Sequence, residues 1–336
     1  MSTYRIFGSE LSPYSVKVRS YFRYKNFAHE WIPRSPAVQA EFQKYAKLPL
    51  VPLVVTPPGL SGESEGVQDS TPIIERFEAS QAEPSIVPQD PALAFVSALL
   101  EEYGDEWGNK WMFHYRWTRE VDQIASAGRI ARMRGPKGSE QEHEAFAGQI
   151  RARMADRVWF VGSNEKTAPQ IELGFRDVLG LLDDHLSTRP YLFGARPAYG
   201  DFGLWGQFYE LWTDPTSGAL IEGNAPHVLD WVHRMLWPRA EGAFEAWSTL
   251  KPTLAPILNQ QVGGRFMPWT LANEKALAEG RQEFSVTLGE EVWTQKPQKY
   301  HARSLAMLRA KYAEITDRSA LDPVLEEAGC LAGLRA

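Results

Sequence analysis

The chain has 336 residues, a formal net charge of −6, 43% apolar residues and 23% charged residues. This composition is typical of a folded globular protein and argues against a disordered one. No block of Lys and Arg resembles a basic nucleic-acid-binding surface, so a DNA- or RNA-binding role is not expected. The length exceeds one ordinary hydrophobic core, and two domains, with room for an appendage, are therefore the default expectation.

The cysteine content and the lengths of the apolar runs indicate the cellular compartment in which the protein is expected. The chain has one cysteine, Cys330, which excludes an internal disulfide framework and fits a reducing cytoplasm. The first residues run directly into a predicted strand without an apolar leader, which disfavours secretion. The longest apolar run, at 93–100, is far shorter than the ~20 residues that a membrane span needs. We therefore expect a soluble, cytoplasmic protein with neither a membrane nor a nucleic acid as partner.

The first eighty residues form one ordered pattern of short elements. The pattern predicts a strand, the start of a helix, a second strand, an apolar run that contains a proline, and the start of another helix, at residues 4–8, 12–15, 31–32, 50–55 and 68–74. In this order and at these spacings, the elements resemble the thioredoxin-like N-terminal domain of glutathione transferases.

The first helix carries apolar residues at helical spacing, namely Val18, Tyr21 and Phe22. Its other faces carry four basic residues: Lys17, Arg19, Arg23 and Lys25. These residues suggest either an anionic partner or a solvated helix face, and we predict the solvated face because that is the commoner arrangement.

A proline-rich segment at 83–91 predicts a linker, and the chain beyond it becomes helical. Helical apolar spacing covers 92–118, 140–160, 168–187 and 200–213. The segment 201–206 resembles a buried helix of transferase C-terminal domains. The family usually has Ser or Thr three positions before Asp201, whereas this chain has Ala198. Half of the expected capping box is therefore missing, which predicts a differently closed helix start.

The last part of the chain departs from a standard transferase. Phe284, Val286 and Leu288 alternate with polar residues, a turn follows, and 292–294 continues the pattern, which predicts a hairpin. A helix should follow Pro297, with Leu305, Leu308 and Tyr312 as its apolar stripe. So many periodic apolar groups must be buried. We expect them to pack on the helical domain near the interdomain cleft and to narrow access to the reacting thiol, or else to bury against a homodimer partner.

The resemblance implies the glutathione transferase fold, with an α/β N-terminal thioredoxin-like domain, an all-α C-terminal domain and an added C-terminal hairpin and helix. The expected boundaries are 1–82 for the glutathione-binding domain, 92–258 for the helical domain and 259–336 for the extension. Since transferases are commonly twofold dimers, it also implies a homodimer.

Glutathione, a tripeptide with two carboxylates and a thiol, would need three devices. The first is a strand edge that pairs with its backbone. A proline cannot donate within a ladder, and a cis Val51–Pro52 bond, as in the family, would turn the backbone of Val51 outward. The alternative is a trans proline at a strand start. The second device is an anion site at the start of a helix, where free amides and the Ser70 hydroxyl would hold the γ-glutamyl carboxylate. Asp69 would hold the ammonium group directly or anchor it through another group. Alternatively, Ser70 or Thr71 merely caps the helix.

The third device activates the thiol. A hydroxyl hydrogen bond near the positive end of a helix lowers a thiol pKa and favours the reactive thiolate. Ser12 stands where the family has its catalytic Ser, Cys or Tyr, although it can also be an N-cap. The alternatives are Ser9, Tyr14 and Ser15. No cysteine stands there, which argues against disulfide-exchange chemistry. The glycine carboxylate would meet Lys47 or Lys44.

The electrophile pocket would lie between the domains. Tyr103, Trp107 and Trp111 share one helix face and, with Tyr14, would form an aromatic wall for an apolar substrate. Such a stripe is more often plain core. His114 has no companion at metal-ligand spacing and is expected to be structural.

These residues together predict a glutathione transferase that uses glutathione as cosubstrate, needs no metal and adds the thiolate to an apolar or aromatic electrophile, a detoxification-type conjugation. Ether cleavage, dehalogenation and isomerisation use the same thiolate. The alternative is a non-catalytic scaffold that binds glutathione or a protein partner.

Overall fold

A computed structural model describes residues 3–59, 62–135 and 137–335. The N-terminal region is an α/β unit whose strands and α-helices are, in chain order, β1 Tyr4–Gly8, α1 Pro13–Tyr24, β2 His29–Pro33, α2 Gln39–Tyr45, β3 Leu53–Val55, β4 Gly66–Gln68 and α3 Ser70–Ser80. The predicted strands and helices of this region are all present, and α2 is an addition to them.

The four strands form one sheet in the order β2-β1-β3-β4. β1 runs parallel to β2 and antiparallel to β3, and β3 runs antiparallel to β4. Phe7 pairs with Leu53, and Leu53 pairs with Gln68. The register therefore brings the end of β1, the start of β3 and the end of β4 to one edge of the sheet. The segments at 9–12, 51–52 and 69–70 all leave from that edge.

The rest of the chain is helical apart from one hairpin. Its helices are α4 Pro91–Tyr103, α5 Asn109–Thr118, α6 Glu120–Arg134, α7 Glu140–Ala155, α8 Ala168–Leu186, α9 Tyr199–Thr213, α10 Pro215–Asn224, α11 Pro226–Arg234, α12 Trp247–Ile257, α13 Met267–Ala278, α14 Lys299–Glu314, α15 Leu321–Glu327 and α16 Leu331–Arg335. Two π-helical segments join neighbouring helices, at Gly104–Gly108 and Leu258–Phe266. The hairpin is formed by β5 Phe284–Leu288 and β6 Glu291–Gln295.

Helix α9 is the buried helix at the centre of the fold. It packs against α4 and against α1, so it joins the two regions. At Gly206 the backbones approach so closely that a Cβ would lie 2.6 Å from the carbonyl oxygen of Pro13. Only glycine permits this approach, which sets the position of the start of α1.

The start of α9 is closed differently from the usual capping box, as predicted. Ala198 has no side-chain acceptor, and the N–H of Asp201 donates to its carbonyl at 3.0 Å. The reciprocal half remains, because the Asp201 carboxylate accepts from the backbone N–H of Ala198 at 2.8 Å. The same carboxylate also accepts from the N–H of Leu192 and from the indole of Trp231, each at 2.9 Å. Asp201 thus ties three segments together.

The prediction of a solvated basic face on α1 is wrong. The four residues are buried or half-buried, with Lys17 fully inaccessible. Lys17 pairs with Glu101 and Asp105 of the helical region, Arg19 with Glu10, and Lys25 with Glu78, while Arg23 donates to the carbonyl of Leu236. The face is charged because it meets carboxylates from other segments.

The C-terminal extension is folded. The hairpin and the helix after Pro297 lie where the sequence predicted them, and Trp293, Leu305 and Leu308 are buried. The hairpin packs on α13, and α14 packs on α13 and α4. The extension therefore continues the core of the helical region.

The predicted fold class is confirmed: an α/β region is followed by a helical region with an added hairpin and helices. The exact boundaries at 82, 92 and 258 stay predictions. Among the described residues, no helix is long and apolar enough to cross a membrane.

Candidate functional site

The residues predicted to bind glutathione converge on one edge of the sheet, because the strand register sends their segments there. Ser12 follows β1, Val51 and Pro52 precede β3, and Asp69 and Ser70 follow β4. The Val51–Pro52 bond is cis, as predicted. The geometry therefore groups backbone groups and hydroxyls from three chain segments.

Ser12 is the N-cap of α1. The Ser12 hydroxyl accepts a hydrogen bond from the backbone N–H of Ser15 at 3.3 Å. The backbone N–H of Ser12 donates to the carbonyl of Ser9 at 3.1 Å. A hydroxyl that accepts in this way still has its proton to donate. Ser12 can therefore cap the helix and donate to a thiolate at once.

Ser70 is the first residue of α3. Its hydroxyl is buried and has no hydrogen-bond partner among the described residues. Thr71 donates its hydroxyl to Glu101 at 2.7 Å. Neither hydroxyl caps the helix, so the capping alternative finds no support. A buried hydroxyl without a partner is uncommon and invites a ligand as its partner.

Asp69 precedes α3 with a φ of 76°, in the left-handed region that L residues rarely adopt. Its carboxylate is exposed, makes no capping bond to the helix, and accepts from the hydroxyl of Tyr300 at 3.3 Å. The carboxylate is thus available at the sheet edge, except for this contact from the extension.

Tyr14 lies between the two regions. Its hydroxyl donates to the carbonyl of Asp105 at 3.1 Å. Burial, together with the charges of Glu106 and Asp105, raises the pKa of this phenol well above its usual value. The hydroxyl proton is therefore already engaged, unlike that of Ser12.

The two lysines proposed for the glycine carboxylate, Lys44 and Lys47, are both exposed. Their loop is held by Gln68, which no sequence pattern singled out. Its side-chain oxygen accepts from the N–H of Lys47 at 2.6 Å and of Leu48 at 3.0 Å, and its amide donates to the carbonyls of Leu48 and Leu50. Gln68 thus fixes the segment that leads into Pro52.

The structure contradicts the prediction that three aromatic residues of the helical region form a wall of the electrophile pocket. Tyr103, Trp107 and Trp111 are each at most 2% exposed. Trp107 packs edge-on against Trp269 and lies 5.4 Å from Trp293 between ring centroids, and Trp111 packs between Phe175 and Phe208. These three of the four predicted pocket residues are core, because α8, α9, α13 and the hairpin cover their face.

The cavity at the domain junction does not have the predicted aromatic wall, and its lining combines polar with aliphatic side chains. It lies between the start of α3, the end of α4 with its π-helical continuation, and α14. Its polar lining is Asp69, Thr71, Glu102, Asp105, Glu106, Tyr300, Arg303, Ser304 and Lys311. Four of these nine residues come from the extension, so the extension forms one wall of the candidate site.

Carboxyl groups dominate the helical wall of this cavity. Burial and the neighbouring acids raise the pKa of Glu102 well above its usual value. Glu106 bonds to Nδ1 of His301 and accepts from the hydroxyl of Ser304 at 3.3 Å. The acids at 102, 105 and 106 were visible in the sequence, but the cavity that they share was not.

His114 is structural, as expected: its ring nitrogens lie 2.8 Å from the hydroxyl of Ser163 and 3.2 Å from Glu172. Among the residues that the structure describes, no group of His, Cys, Asp and Glu could hold a metal ion.

Several solved structures resemble this chain at low identity. FzlA from C. crescentus is 17% identical, with a TM-score of 0.45, over 73% of this chain and 97% of that chain. A glutathione S-transferase from Sinorhizobium meliloti is 17% identical, with a TM-score of 0.44, over 74% and 98%. One from Rhodospirillum rubrum is 17% identical, with a TM-score of 0.43, over 68% and 86%. At such scores these likenesses add no weight to an assignment.

No curated protein matches the chain. Two family models do match. Residues 6–85 match the glutathione S-transferase N-terminal domain, and residues 165–234 match the glutathione S-transferase C-terminal domain. The two matches occur in the order expected from the fold, and the extension lies outside both. In these two segments, which together make up less than half of it, the chain is similar to glutathione S-transferases.

Proposed function

We propose that this protein is a glutathione transferase-like enzyme that binds glutathione at the sheet edge formed by Ser12, Val51 and Ser70. The observation that carries the proposal is the buried hydroxyl of Ser70 at the start of α3, which has no hydrogen-bond partner in the part of the chain that the structure describes. A γ-glutamyl carboxylate would supply the missing acceptor, and the free N–H groups of the helix start would add to it.

Ser12 would stabilise the thiolate in this proposal. Its hydroxyl accepts from the helix and keeps a proton for the sulfur, and the positive end of α1 favours negative charge there. The ionised form of the bound thiol would be favoured over the neutral form, which lowers the thiol pKa. The thiolate would then attack an electrophile held near the cavity at the domain junction, by conjugation or by ether cleavage, dehalogenation or isomerisation.

The cavity at the domain junction changes the kind of electrophile that we propose. Because the three aromatic residues are core and many residues around this cavity carry hydrogen-bonding groups, we propose an electrophile whose polar groups could pair with them. We also propose a soluble, cytoplasmic protein, on the evidence of its single cysteine and short apolar runs, and a homodimer, which rests on the family resemblance.

Ultraviolet titration of the bound thiolate tests the role of Ser12. The pKa of bound glutathione should lie below that of the free thiol, and Ser12→Ala should raise it with little change in affinity. Ser9→Ala is the matched comparison. An unchanged thiol pKa in Ser12→Ala, with a raised one in Ser9→Ala, would transfer the role to Ser9. A panel of polar and apolar electrophiles on the same sample then identifies the reaction.

A non-catalytic glutathione-binding scaffold is the second candidate, and one observation favours it. The extension already contacts Asp69 through Tyr300. Under this alternative, glutathione binds but no electrophile in the panel is consumed.

A further inference from the structure

The C-terminal extension reaches the residue proposed to hold the ammonium group of glutathione. The hydroxyl of Tyr300 donates to Oδ2 of Asp69 at 3.3 Å, across 231 positions of sequence. Tyr300 belongs to α14, which lies outside both matched domains. This contact therefore connects the extension with the centre of the candidate site.

The cavity next to this contact is too small for glutathione. Its volume is about 50 Å³, which holds a few water molecules. Pockets for ligands of this size have volumes of roughly 300–1,000 Å³. Some part of the lining must therefore move before a tripeptide can reach Asp69 through this space.

The backbone around Tyr300 is held in place on both sides. Gln298 exchanges two hydrogen bonds with Asn273, at 2.7 and 3.0 Å, and Leu305 is fully buried. His301 bonds to Glu106, and Ser304 also donates to that carboxylate. A movement of the whole helix would break all of these contacts.

The Tyr300 side chain is the part of this wall that can move at low cost. It is 53% exposed, and within the described part of the chain its hydroxyl hydrogen-bonds to Asp69 alone. Rotation about its side-chain torsions would place the ring in solvent while the backbone of α14 stays pinned. Such rotamer changes are fast for exposed side chains.

We propose that Tyr300 is a gating residue: in the unliganded protein its hydroxyl occupies the carboxylate of Asp69, and its ring must swing outward before the ammonium group of glutathione can bind there. The inference rests on the proposed function and adds a specificity residue from the extension to it. Glutathione then binds only to molecules in which the ring of Tyr300 has swung outward. The apparent affinity for glutathione is therefore lower than the intrinsic affinity of the site.

Calorimetric titration with glutathione tests the gate in the full-length protein. Tyr300→Phe loses the hydrogen bond that holds the ring closed, so the dissociation constant should fall by about 2- to 12-fold, the change that one net hydrogen bond supports. Tyr312→Phe is the matched control, since that hydroxyl, on the same helix, donates to Asp322 at 2.7 Å and away from the site. It should leave the dissociation constant unchanged.

A mutant cycle separates gating from a general loosening of α14. In an Asp69→Asn background the gate contact is already weakened, so Tyr300→Phe should change the dissociation constant much less than in the natural protein. Melting temperatures of all variants identify any that fail to fold, and the conservative Tyr300→Phe is the variant least exposed to that risk.

The outcomes are distinct. If the natural protein binds glutathione and Tyr300→Phe binds equally or more weakly, the gate is overturned and the proposed function stands. If neither protein gives heat, the proposed function fails and the gate fails with it. A gain of affinity in Tyr300→Phe that disappears in the Asp69→Asn background supports both.

Discussion

Lys17 on α1 and Glu101 on α4 form an ion pair with 2.5 Å between Nζ and Oε1, although both side chains are excluded from water. Burial alone would lower the pKa of Lys17, but Asp105 and Glu101 raise it above its usual value. Burial would likewise raise the pKa of Glu101, and the charge of Lys17 lowers it. The pair joins the α/β region to the helical region, directly behind the candidate site.

Removing Lys17 should therefore be costly. Lys17→Met leaves Glu101 buried without its cation and should reduce the free energy of unfolding by about 3–5 kcal/mol. Chemical denaturation measures this loss of unfolding free energy. Arg132→Met is the control, because its pair with Glu140 is 60% and 65% exposed and should contribute about 0–1 kcal/mol. Equal effects of the two substitutions would contradict the structure at this junction.

The hairpin of the extension should behave as core. Trp293 on β6 is fully buried, and its neighbour Val292 is 56% exposed. Trp293→Ala should cost about 3–5 kcal/mol of unfolding free energy, whereas Val292→Ala should cost about 1 kcal/mol or less. Thermal and chemical denaturation of both variants decide the point. If Trp293→Ala were as stable as Val292→Ala, the hairpin would be an independent appendage.

His185 should make stability depend on pH. Burial lowers its pKa to about 4. Its Nε2 must donate to the carbonyl of Leu192 at 2.9 Å, which leaves Nδ1 to accept from Thr253. In the unfolded chain the His185 ring takes up a second proton near pH 6.5, whereas in the folded chain it does so only near pH 4. The free energy of unfolding should therefore fall between those values as pH decreases, by on the order of 3 kcal/mol from this group.

Denaturation at several pH values measures how the free energy of unfolding changes with pH. His185→Gln removes the titrating ring, so the loss between pH 6.5 and 4 should become smaller. Identical pH dependence of the unfolding free energy in the two proteins would show that His185 does not control acid stability.

The sequence predicted the parts of this protein that depend on short-range pattern. Alternation placed β5 and β6, and the spacing of Leu305 and Leu308 placed the buried face of α14. Turn and proline patterns located the segments of the sheet edge. These signals are local, because strand and helix periodicity repeat within a few residues.

Contacts between distant segments were not predictable in the same way. The basic face of α1 appeared solvated because its partner Glu101 lies 84 positions away. The stripe of Trp107 appeared to line a pocket because its cover, Trp269 and Trp293, belongs to the extension. Amphipathic patterns show which residues share a face, and tertiary packing decides what that face meets.

In the proposed function the buried hydroxyl of Ser70 binds glutathione, so removing this hydroxyl should affect binding and not folding. Ser70→Ala should leave the free energy of unfolding within about 0.5 kcal/mol of the natural value, because no hydrogen bond to a described residue is lost. Ser20→Ala should show the reverse, since its buried hydroxyl donates to the carbonyl of Met235 at 2.6 Å: lower stability and unchanged glutathione affinity.

Calorimetric titration of glutathione into the natural protein, Ser70→Ala and Ser20→Ala is the most direct test. We predict a micromolar to low-millimolar dissociation constant for the natural protein, corresponding to about −8 to −4 kcal/mol. Ser70→Ala should bind more weakly by about 1–3 kcal/mol, while Ser20→Ala binds as the natural protein does. Absence of heat with the natural protein, or equal affinity in Ser70→Ala, would contradict the account.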